Sequence, residues 1–259
     1  MKRELPWWVP LAIIYSLAAL IIGCLSPYPV QAAELAKLQT QALYPVAQLN
    51  RTCSATFIHS SRDEKSGEVS TYLLTAKHCI QSPGLLQTVY VPVYKSGRLV
   101  KEDAYVAKVK GVYSKGDLAL VELLDKDTFF ATVAKVAPVD VALSEGEAAV
   151  IVGYPRGESR TATDGLLGNL QSIAFPNPKV STEYQRATPQ IAGGNSGGAL
   201  FHVTAAGDFE QIGVITATIP ASDFMTYSTP IEAIHDFLGV ILPKLYRKEV
   251  AAASPKVPG

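Results

Sequence analysis

A serine surrounded by glycines is the strongest sign of chemistry in this sequence. Residues 193–198 read GGNSGG, and an apolar run follows them. Because glycine tolerates positive φ and close backbone approach, such a turn can expose the Oγ of Ser196 beside converging main-chain N–H groups. Acyl transfer needs this combination of a nucleophile and donors that stabilise an oxyanion. The pattern predicts Ser196 as the nucleophile and the N–H groups of Gly194 and Ser196 as the oxyanion hole, although a purely structural glycine turn would read similarly.

Two further motifs supply a candidate base and a carboxylate to orient it. Residues 75–79 read TAKHC and place His78 after an apolar run, and residues 116–121 read GDLALV and place Asp117 before another. A histidine, with an ordinary pKa of about 6.5, can accept the serine proton. A carboxylate can then hold the imidazole tautomer and stabilise the imidazolium. We assign these roles to His78 and Asp117, with Asp103 as the second choice for the carboxylate. The remaining histidines, expected to be structural, are His59, His202 and His235.

The three motifs and their order along the chain resemble those of the trypsin-like (chymotrypsin-fold) serine peptidases, over about residues 42–238. Subtilisins and α/β-hydrolases carry the same three residue types in other orders. The resemblance implies an all-β fold of two antiparallel Greek-key β-barrels, with the active site in the cleft between them, and a C-terminal helix. It also implies a serine endopeptidase that hydrolyses a peptide or protein substrate through an acyl-enzyme intermediate. No cofactor is expected, and no cluster with metal-ligand spacing is visible.

The resemblance extends to a disulfide and a substrate pocket. Cys53 and Cys79 are the two cysteines in the part of the chain expected to fold, and family members have a bridge that pins the loop carrying His78. Aligned with the family, the primary pocket contains only uncharged residues, which predicts cleavage after small or medium uncharged side chains. The predicted pocket residues are Gln190, Ile191, Thr216, Ala217, Thr218 and Met225.

Asn195 departs from the pattern of the animal family members. Those proteins carry an aspartate at this position, and it pairs with an N-terminal amine freed by zymogen cleavage. A neutral amide cannot form that ion pair, and residues 33–50 contain no IVGG-like start. We therefore expect an enzyme that needs no such activation, as in bacterial members. The HtrA group also carries GNSGG, but the cysteine beside the histidine departs from its usual pattern, and no residues remain for a PDZ domain.

The N-terminal 32 residues are expected to be a targeting segment. Lys2 and Arg3 precede the apolar residues 5–25, and a Pro-containing stretch then ends in Val-Gln-Ala, which is typical of a secretory signal cleaved near Ala32. Two alternatives stay open. Residues 21–24 read IIGC, like a lipobox that would lipidate Cys24, and the apolar run is long enough to span a bilayer uncleaved. All three alternatives place the domain outside the cytosol, with membrane contact only through this segment.

The rest of the chain reads as short strands separated by turns, with 23 basic and 23 acidic residues that suggest no electrostatic grip on nucleic acid. We divide it into residues 33–145 (an exposed lead-in and the first barrel), 146–229 (the second barrel), 230–248 (a helix) and 249–259 (a disordered tail). A turn at residues 153–157 is expected to lead into a polar loop that reaches residue 168. The predicted strands are residues 54–59, 69–76, 88–94, 105–113, 117–124, 148–152, 170–175, 183–187, 199–203 and 211–217, with one more around Tyr227.

The C-terminal helix has a start signal, with Thr229 as N-cap, Pro230 in the first turn and Glu232 completing a capping box. Apolar residues then recur at helical spacing, and Pro243 is expected to end or kink the helix. Two alternatives to a peptidase remain at this point. One is a catalytically silent homologue that binds peptides or a protein partner through the cleft, and the other is an esterase with the same triad.

Overall fold

The computed structural model describes residues 28–80, 82–95, 98–173, 182–218 and 225–243, with the side chains of residues 28–32, 217 and 218 left aside. The predicted signal segment up to residue 27, with Cys24, and the predicted tail lie outside the described residues. So does the expected helix beyond residue 243. No helix in the described part of the chain is both long and apolar enough to cross a bilayer.

Six antiparallel strands form the first barrel, in the spatial order β1-β2-β3-β6-β5-β4, and the pairing of β1 with β4 closes it. Strand β1 was not predicted, and three other strands extend beyond the prediction. Strand β5 begins seven residues early, β2 ends three residues late, and β4 is one residue longer at each end. The bounds are β1 Val46–Leu49, β2 Cys53–Arg62, β3 Val69–Thr75, β4 Gln87–Lys95, β5 Arg98–Val112 and β6 Ala119–Leu123.

The second barrel repeats the same strand order, β8-β9-β10-β13-β12-β11, and the pairing of β11 with β12 closes it. A short strand, β7, adds to β12 in parallel from outside the ring. The all-β prediction of two barrels is thereby confirmed. The bounds are β7 Lys135–Val136, β8 Ala148–Gly153, β9 Thr161–Ile173, β10 Thr182–Ala187, β11 Ala199–Val203, β12 Phe209–Thr218 and β13 Thr226–Pro230.

Strand β9 corrects the prediction of a polar loop up to residue 168. Its first half pairs with β8, from Thr161 opposite Gly153 to Leu166 opposite Ala148, and its second half pairs with β10. Most of its side chains are exposed or half-buried, so polar residues such as Thr163 and Asp164 are no obstacle to pairing through the backbone.

The N-terminal lead-in is partly buried, contrary to the prediction of an exposed segment. Helix α1 (Tyr28–Lys37) continues into a π-helical segment, Leu38–Leu43, and Ala42 is fully buried. The segment was expected to be exposed because it is polar, but Leu38 and Leu43 pack with Ala42 against apolar residues of the second barrel. The chain then enters β1 of the first barrel.

Helix α2 (Ile231–Ile241) follows β13 and confirms the predicted C-terminal helix. The N-cap is Pro230, one residue later than the predicted Thr229. Thr229 instead belongs to β13, and its hydroxyl pairs with that of Thr216 at 3.1 Å. Pro230 occupies the N-cap position without a side-chain cap. The helix ends before Pro243, as expected.

The two barrels share an apolar core next to the turns that carry His78 and Asp117. Leu74 at the end of β3 and Leu118 and Leu120 around the start of β6 pack in one cluster with second-barrel residues such as Leu200 and Val214. Burial of this shared apolar surface fixes the ends of β3 and β6 against the second barrel. The turns that carry His78 and Asp117 leave the first barrel at this contact.

Candidate active site

His78 lies on a short 3₁₀ turn, Lys77–Cys79, directly after β3. The neighbouring Cys79 is joined to Cys53 at the start of β2 by a disulfide, with a Cα–Cα distance of 6.0 Å. This bridge closes a sequence separation of 26 residues, which contributes about 3 kcal/mol to stability in the chain-entropy description. The predicted pairing is therefore present, and it anchors the turn that carries His78.

Asp117 lies in the turn between β5 and β6 and binds His78 through both carboxylate oxygens. Oδ1 accepts a hydrogen bond from the backbone N–H of His78 at 2.9 Å, and Oδ2 lies 2.7 Å from Nδ1 of the imidazole. The first bond fixes the carboxylate relative to the 3₁₀ turn, and the second places the proton of the neutral imidazole on Nδ1. Nε2 is then left as the basic nitrogen.

The pKa of His78 lies above its ordinary value. The hydrogen bond that the ring donates to Asp117 has the largest effect and raises the pKa, partial burial opposes it, and the charge of Asp117 adds to the rise. Asp103, the second choice for the carboxylate, is instead paired with Lys101 on β5 at 2.9 Å. Within the described residues, Asp117 alone has a carboxylate bonded to His78.

Ser196 lies in the turn before β11, where the backbone of the first barrel holds it. Its carbonyl accepts a hydrogen bond from the N–H of Ser54 at 2.8 Å, and the next residue, Gly197, donates to the carbonyl of Ile215 at 2.8 Å. Gly197 has φ +82°, and a Cβ there would collide with the carbonyl of Ser54. Glycine at this position is required both by the backbone angle and by the close contact between the barrels.

The loop before Ser196 leaves the two predicted oxyanion donors without an acceptor among the described residues. The carbonyl of Gly193 accepts a hydrogen bond from the N–H of Arg156 at 2.5 Å. Because N–H and C=O point in opposite directions across a trans peptide, the N–H of Gly194 points away from Arg156. Neither Gly194 nor Ser196 donates its N–H to another residue in the described part of the chain. Both donors remain available for an oxyanion.

Ser54 also supports the loop before Ser196, a role that the sequence did not predict. Its hydroxyl accepts a hydrogen bond from the N–H of Tyr154 at 2.9 Å and donates one to the carbonyl of Gly194 at 2.8 Å. The side chain is fully buried. A serine next to a cysteine at a strand start carries no sequence signal for this role, which depends on a residue 140 positions away.

The turns of Ser196 and His78 meet through Cys79, and the side chains of Ser196 and His78 make no mutual hydrogen bond among the described residues. Cys79 Sγ lies 3.6 Å from the carbonyl oxygen of Ser196, which brings the serine turn against the histidine turn. A base and its nucleophile often make their hydrogen bond only in the substrate complex. The serine turn therefore lies against the turn that carries His78.

The predicted pocket residues lie on three segments of the second barrel. Gln190 is exposed and Ile191 half-buried in the loop after β10, while Ala217 and Thr218 end β12 and Met225 precedes β13. Thr216 is buried, and its hydroxyl is bonded within the barrel, to the carbonyl of Val214 at 3.2 Å and to Thr229. The carbonyl of Gln190 accepts a bond from the hydroxyl of Thr163 at 3.2 Å, which ties the loop to β9.

One group of potential metal ligands occurs beside the site. Cys53 Sγ, Cys79 Sγ and a ring nitrogen of His78 lie within 4.8 Å of one another. Both sulfurs are bonded in the disulfide, so they offer no thiolate to a metal ion.

The chain forms two closed six-stranded barrels. One barrel carries a His–Asp pair, and the other carries a serine whose loop has two N–H groups without an acceptor. This combination is typical of the chymotrypsin class of serine peptidases. Comparison with known families agrees. The model of the trypsin-like peptidase domain matches residues 53–208, and the chain belongs to that family. The predicted family and its serine peptidase class are confirmed.

Individual relatives point the same way. The chain is 31% identical over 151 residues to a probable periplasmic serine protease, Do/HhoA-like, of Haemophilus influenzae, over 58% of this chain and 29% of that protein. It therefore spans less than a third of the length of this relative. Among solved structures, the HtrA-type protease AlgW with a tripeptide has a TM-score of 0.58 at 22% identity, over 80% of this chain and 63% of the other. The Rv3671c protein of M. tuberculosis H37Rv, in an inactive form, has a TM-score of 0.57 at 17% identity, over 85% and 96% of the two chains.

Proposed function

We propose that this protein is a serine endopeptidase that cleaves peptide bonds with Ser196 as nucleophile, His78 as general base and Asp117 as the residue that orients His78. The single observation that carries the proposal is the two-point contact of Asp117 with His78, at 2.9 and 2.7 Å. This contact leaves Nε2 of His78 basic and fixes the ring.

In the proposed reaction, Ser196 Oγ attacks the carbonyl carbon of the substrate while His78 Nε2 takes the hydroxyl proton. The resulting oxyanion receives hydrogen bonds from the N–H groups of Gly194 and Ser196. His78 then gives the proton to the leaving amine, and the acyl group remains on Ser196 as an ester. Water activated by His78 hydrolyses that ester and restores the serine.

We propose an extracytoplasmic location for the domain, secreted, periplasmic or tethered through its N-terminal segment. The curated relative is described as periplasmic, and a disulfide such as Cys53–Cys79 forms and persists in an oxidising compartment. Peptide substrates that end in an uncharged side chain at the cleaved bond fit the predicted pocket, because none of its six residues is charged.

The proposed enzyme needs no new N-terminus to become active. Asn195 is buried, with 5% of its surface exposed, and its amide carries no charge to attract an amine. The side chain of Asn195 lies against Gly153 of β8, because a Cβ added to Gly153 would collide with Asn195 Oδ1. The turn is thus supported by its own neighbours.

Labelling with a fluorophosphonate probe tests the proposal on the purified, oxidised protein without proteolytic trimming. We expect labelling of the wild type and of Ser66→Ala, an exposed serine in the β2–β3 turn, and none in Ser196→Ala or His78→Ala. Absence of labelling in the folded wild type would contradict the activated serine and favour a silent homologue that binds peptides. Labelling only after N-terminal trimming would contradict the absence of N-terminal activation.

A further inference from the structure

Helix α2 of the second barrel packs against the segment of the first barrel that carries Asp117. The ring of Phe237 on the helix lies 5.6 Å from the ring of Tyr113, which follows β5 directly. Near the end of the helix, Ile241 packs so closely on Gly111 that an added Cβ would lie 2.8 Å from its side chain. The helix therefore covers the strand end from which the Asp117 turn begins.

Asp236 makes the polar part of this contact. Its Oδ2 accepts a hydrogen bond from the hydroxyl of Tyr113 at 2.8 Å and pairs with Lys115 Nζ at 2.8 Å. Burial and the hydrogen bond to Asp236 together raise the pKa of Tyr113 to about 12, so the hydroxyl stays a donor at any physiological pH. One carboxylate on the helix thus holds two side chains of the same turn.

Tyr113 in turn reaches both neighbours of Asp117. Its N–H donates to the carbonyl of Leu118 at 2.8 Å, which closes the turn behind Asp117. Its ring lies against Gly116, since an added Cβ there would lie 3.1 Å from the ring. Its carbonyl accepts a bond from Lys77 Nζ at 3.4 Å, and Lys77 is the residue before His78. A shift of Tyr113 would therefore move the turn on either side of Asp117.

We propose that Asp236 and Tyr113 are positioning residues for the His78–Asp117 pair, which they hold from the opposite barrel through helix α2. Catalytic relevance of this arrangement rests on the proposed function, whereas its effect on the histidine does not. The hydroxyl of Tyr113 and the carboxylate of Asp236 touch neither His78 nor Asp117 and act through the turn of residues 113–118.

Two substitutions remove the link in different ways. Tyr113→Phe keeps the ring packing on Gly116 and Phe237 but removes the hydroxyl, and Asp236→Asn keeps an acceptor oxygen but removes the charge. The pKa of His78 is raised chiefly by its hydrogen bond to Asp117. Asp117 is also the charged group bonded to His78 in the described part of the chain, so a loosened pair brings the pKa of His78 down toward its ordinary value.

The decisive measurement is an NMR titration of the His78 ring, assigned by comparison with His78→Gln. We expect a lower His78 pKa than in the wild type in both variants, with unchanged thermal unfolding midpoints. In peptide hydrolysis, kcat/KM should fall about 3- to 10-fold, mainly through kcat, and its acid limb should move to lower pH.

Asp208→Asn is the matched control. Asp208 is also an exposed carboxylate that accepts from a lysine and a neutral side chain, Lys37 at 2.9 Å and Gln41 at 3.2 Å, but it lies in the β11–β12 turn. A His78 pKa equal to the wild-type value in both test variants would overturn the proposal, as would an equal shift in Asp208→Asn. Because the titration needs no turnover, this failure is distinct from a wild type that the fluorophosphonate fails to label.

Discussion

Ser54 links the two halves of the site at the scale of a single side chain. Its hydroxyl satisfies the buried N–H of Tyr154 and binds the carbonyl of Gly194, the residue that supplies one oxyanion donor. Oxyanion-hole donors are effective only when they are held in place before the reaction begins. The Ser54 side chain thus links β2 of the first barrel to the loop of the second barrel that supplies the proposed oxyanion hole.

Ser54→Ala should lower both stability and turnover. Removal of the hydroxyl leaves the Tyr154 N–H unsatisfied, which costs about 1–3 kcal/mol, and frees the Gly194 carbonyl, so kcat should fall more than KM changes. Denaturant unfolding and steady-state kinetics measure the two effects.

Ser60→Ala is a suitable control, because Ser60 on the same strand accepts from the Phe130 N–H at 3.0 Å and pairs with Thr71 at 2.9 Å, away from the site. It should lose stability and keep wild-type kcat. Equal loss of kcat in both variants would contradict the role of Ser54.

Asp117→Asn should reduce kcat about 10³- to 10⁴-fold, because an amide favours the wrong imidazole tautomer and no longer stabilises the imidazolium.

In the wild type, the acid limb of kcat/KM should have its midpoint above pH 6.5, since the pKa of His78 is raised from 6.5. Activity requires the neutral ring, so it should rise as pH increases through that midpoint.

Asp103→Asn supplies the comparison for this prediction. Asp103 was the alternative carboxylate, and it is paired with Lys101 on the surface of β5. A pH–rate profile of each variant decides between the two. A loss in Asp103→Asn as large as that in Asp117→Asn would contradict the assignment.

At the scale of elements, strand β6 carries a buried carboxylate that organises its neighbours. Glu122 pairs with Lys126 at 2.9 Å, Lys110 at 3.1 Å and Lys108 at 3.3 Å, and 8% of its side chain is exposed. Burial by itself raises the pKa of Glu122, but the three lysine hydrogen bonds outweigh it and lower the pKa to about 2. The carboxylate therefore joins β5 and β6 on the side away from Asp117.

Glu122→Gln should lower the free energy of unfolding by about 2 kcal/mol at neutral pH, because three lysines lose a charged acceptor. The folded pKa of Glu122 lies below its ordinary value of 4.5. Its contribution is therefore complete above pH 4.5 and is lost as the pH falls toward about 2. Urea unfolding from pH 7 to pH 2 should show the wild type and variant converge. A difference independent of pH would contradict the ionic explanation, and Asp103→Asn should change stability little at any pH.

The sequence predicted most strands of this fold because apolar residues recur in short runs between turn signals. Strand β1 was missed, although its four residues are all buried, since Val-Ala-Gln-Leu has no alternation and no clear turn before it. The first half of strand β9 was missed for a different reason, whereas its last residues fall within the predicted strand 170–175. Its polar side chains stay exposed while its backbone pairs with β8 and then β10, and backbone pairing leaves no pattern in side-chain type.

The candidate site was predictable as far as local motifs reach. His78, Asp117 and Ser196 each lie in a short motif, and their contacts follow from a shared fold. Ser54, Tyr113 and Asp236 lie in none, because their partners are distant in sequence: 140 residues separate Ser54 from Gly194, and 123 separate Tyr113 from Asp236. Roles set by such long-range contacts appear only when the chain is folded.

At the scale of the whole molecule, the N-terminal segment docks on the second barrel before the first strand begins. Lys37 donates to the carbonyl of Ala206 at 2.7 Å, and Gln41 Oε1 accepts from the N–H of Phe209 at 2.8 Å, both in the β11–β12 hairpin. Ala42 is buried against the second barrel, and β1 follows in the first. The segment is thus part of the folded domain.

Ala42→Asp should destabilise the protein by about 3 kcal/mol or more, because a fully buried carboxylate there has no partner. Leu35→Asp, at a position 53% exposed on helix α1, should change stability little. Thermal unfolding of both variants tests this. Similar melting temperatures in Ala42→Asp and the wild type would contradict docking of the segment.

This docking determines how the molecule responds to a mechanical load. A pull on the chain ahead of residue 33 reaches Lys37 and Gln41 first, and they pass it to the hairpin turn of residues 204–208 before β1 is stretched. The contacts that carry this load are three hydrogen bonds and one ion pair. A tether at the N-terminus would therefore pull on the barrel that carries Ser196, and the His78–Asp117 pair would bear force only after the segment had peeled away.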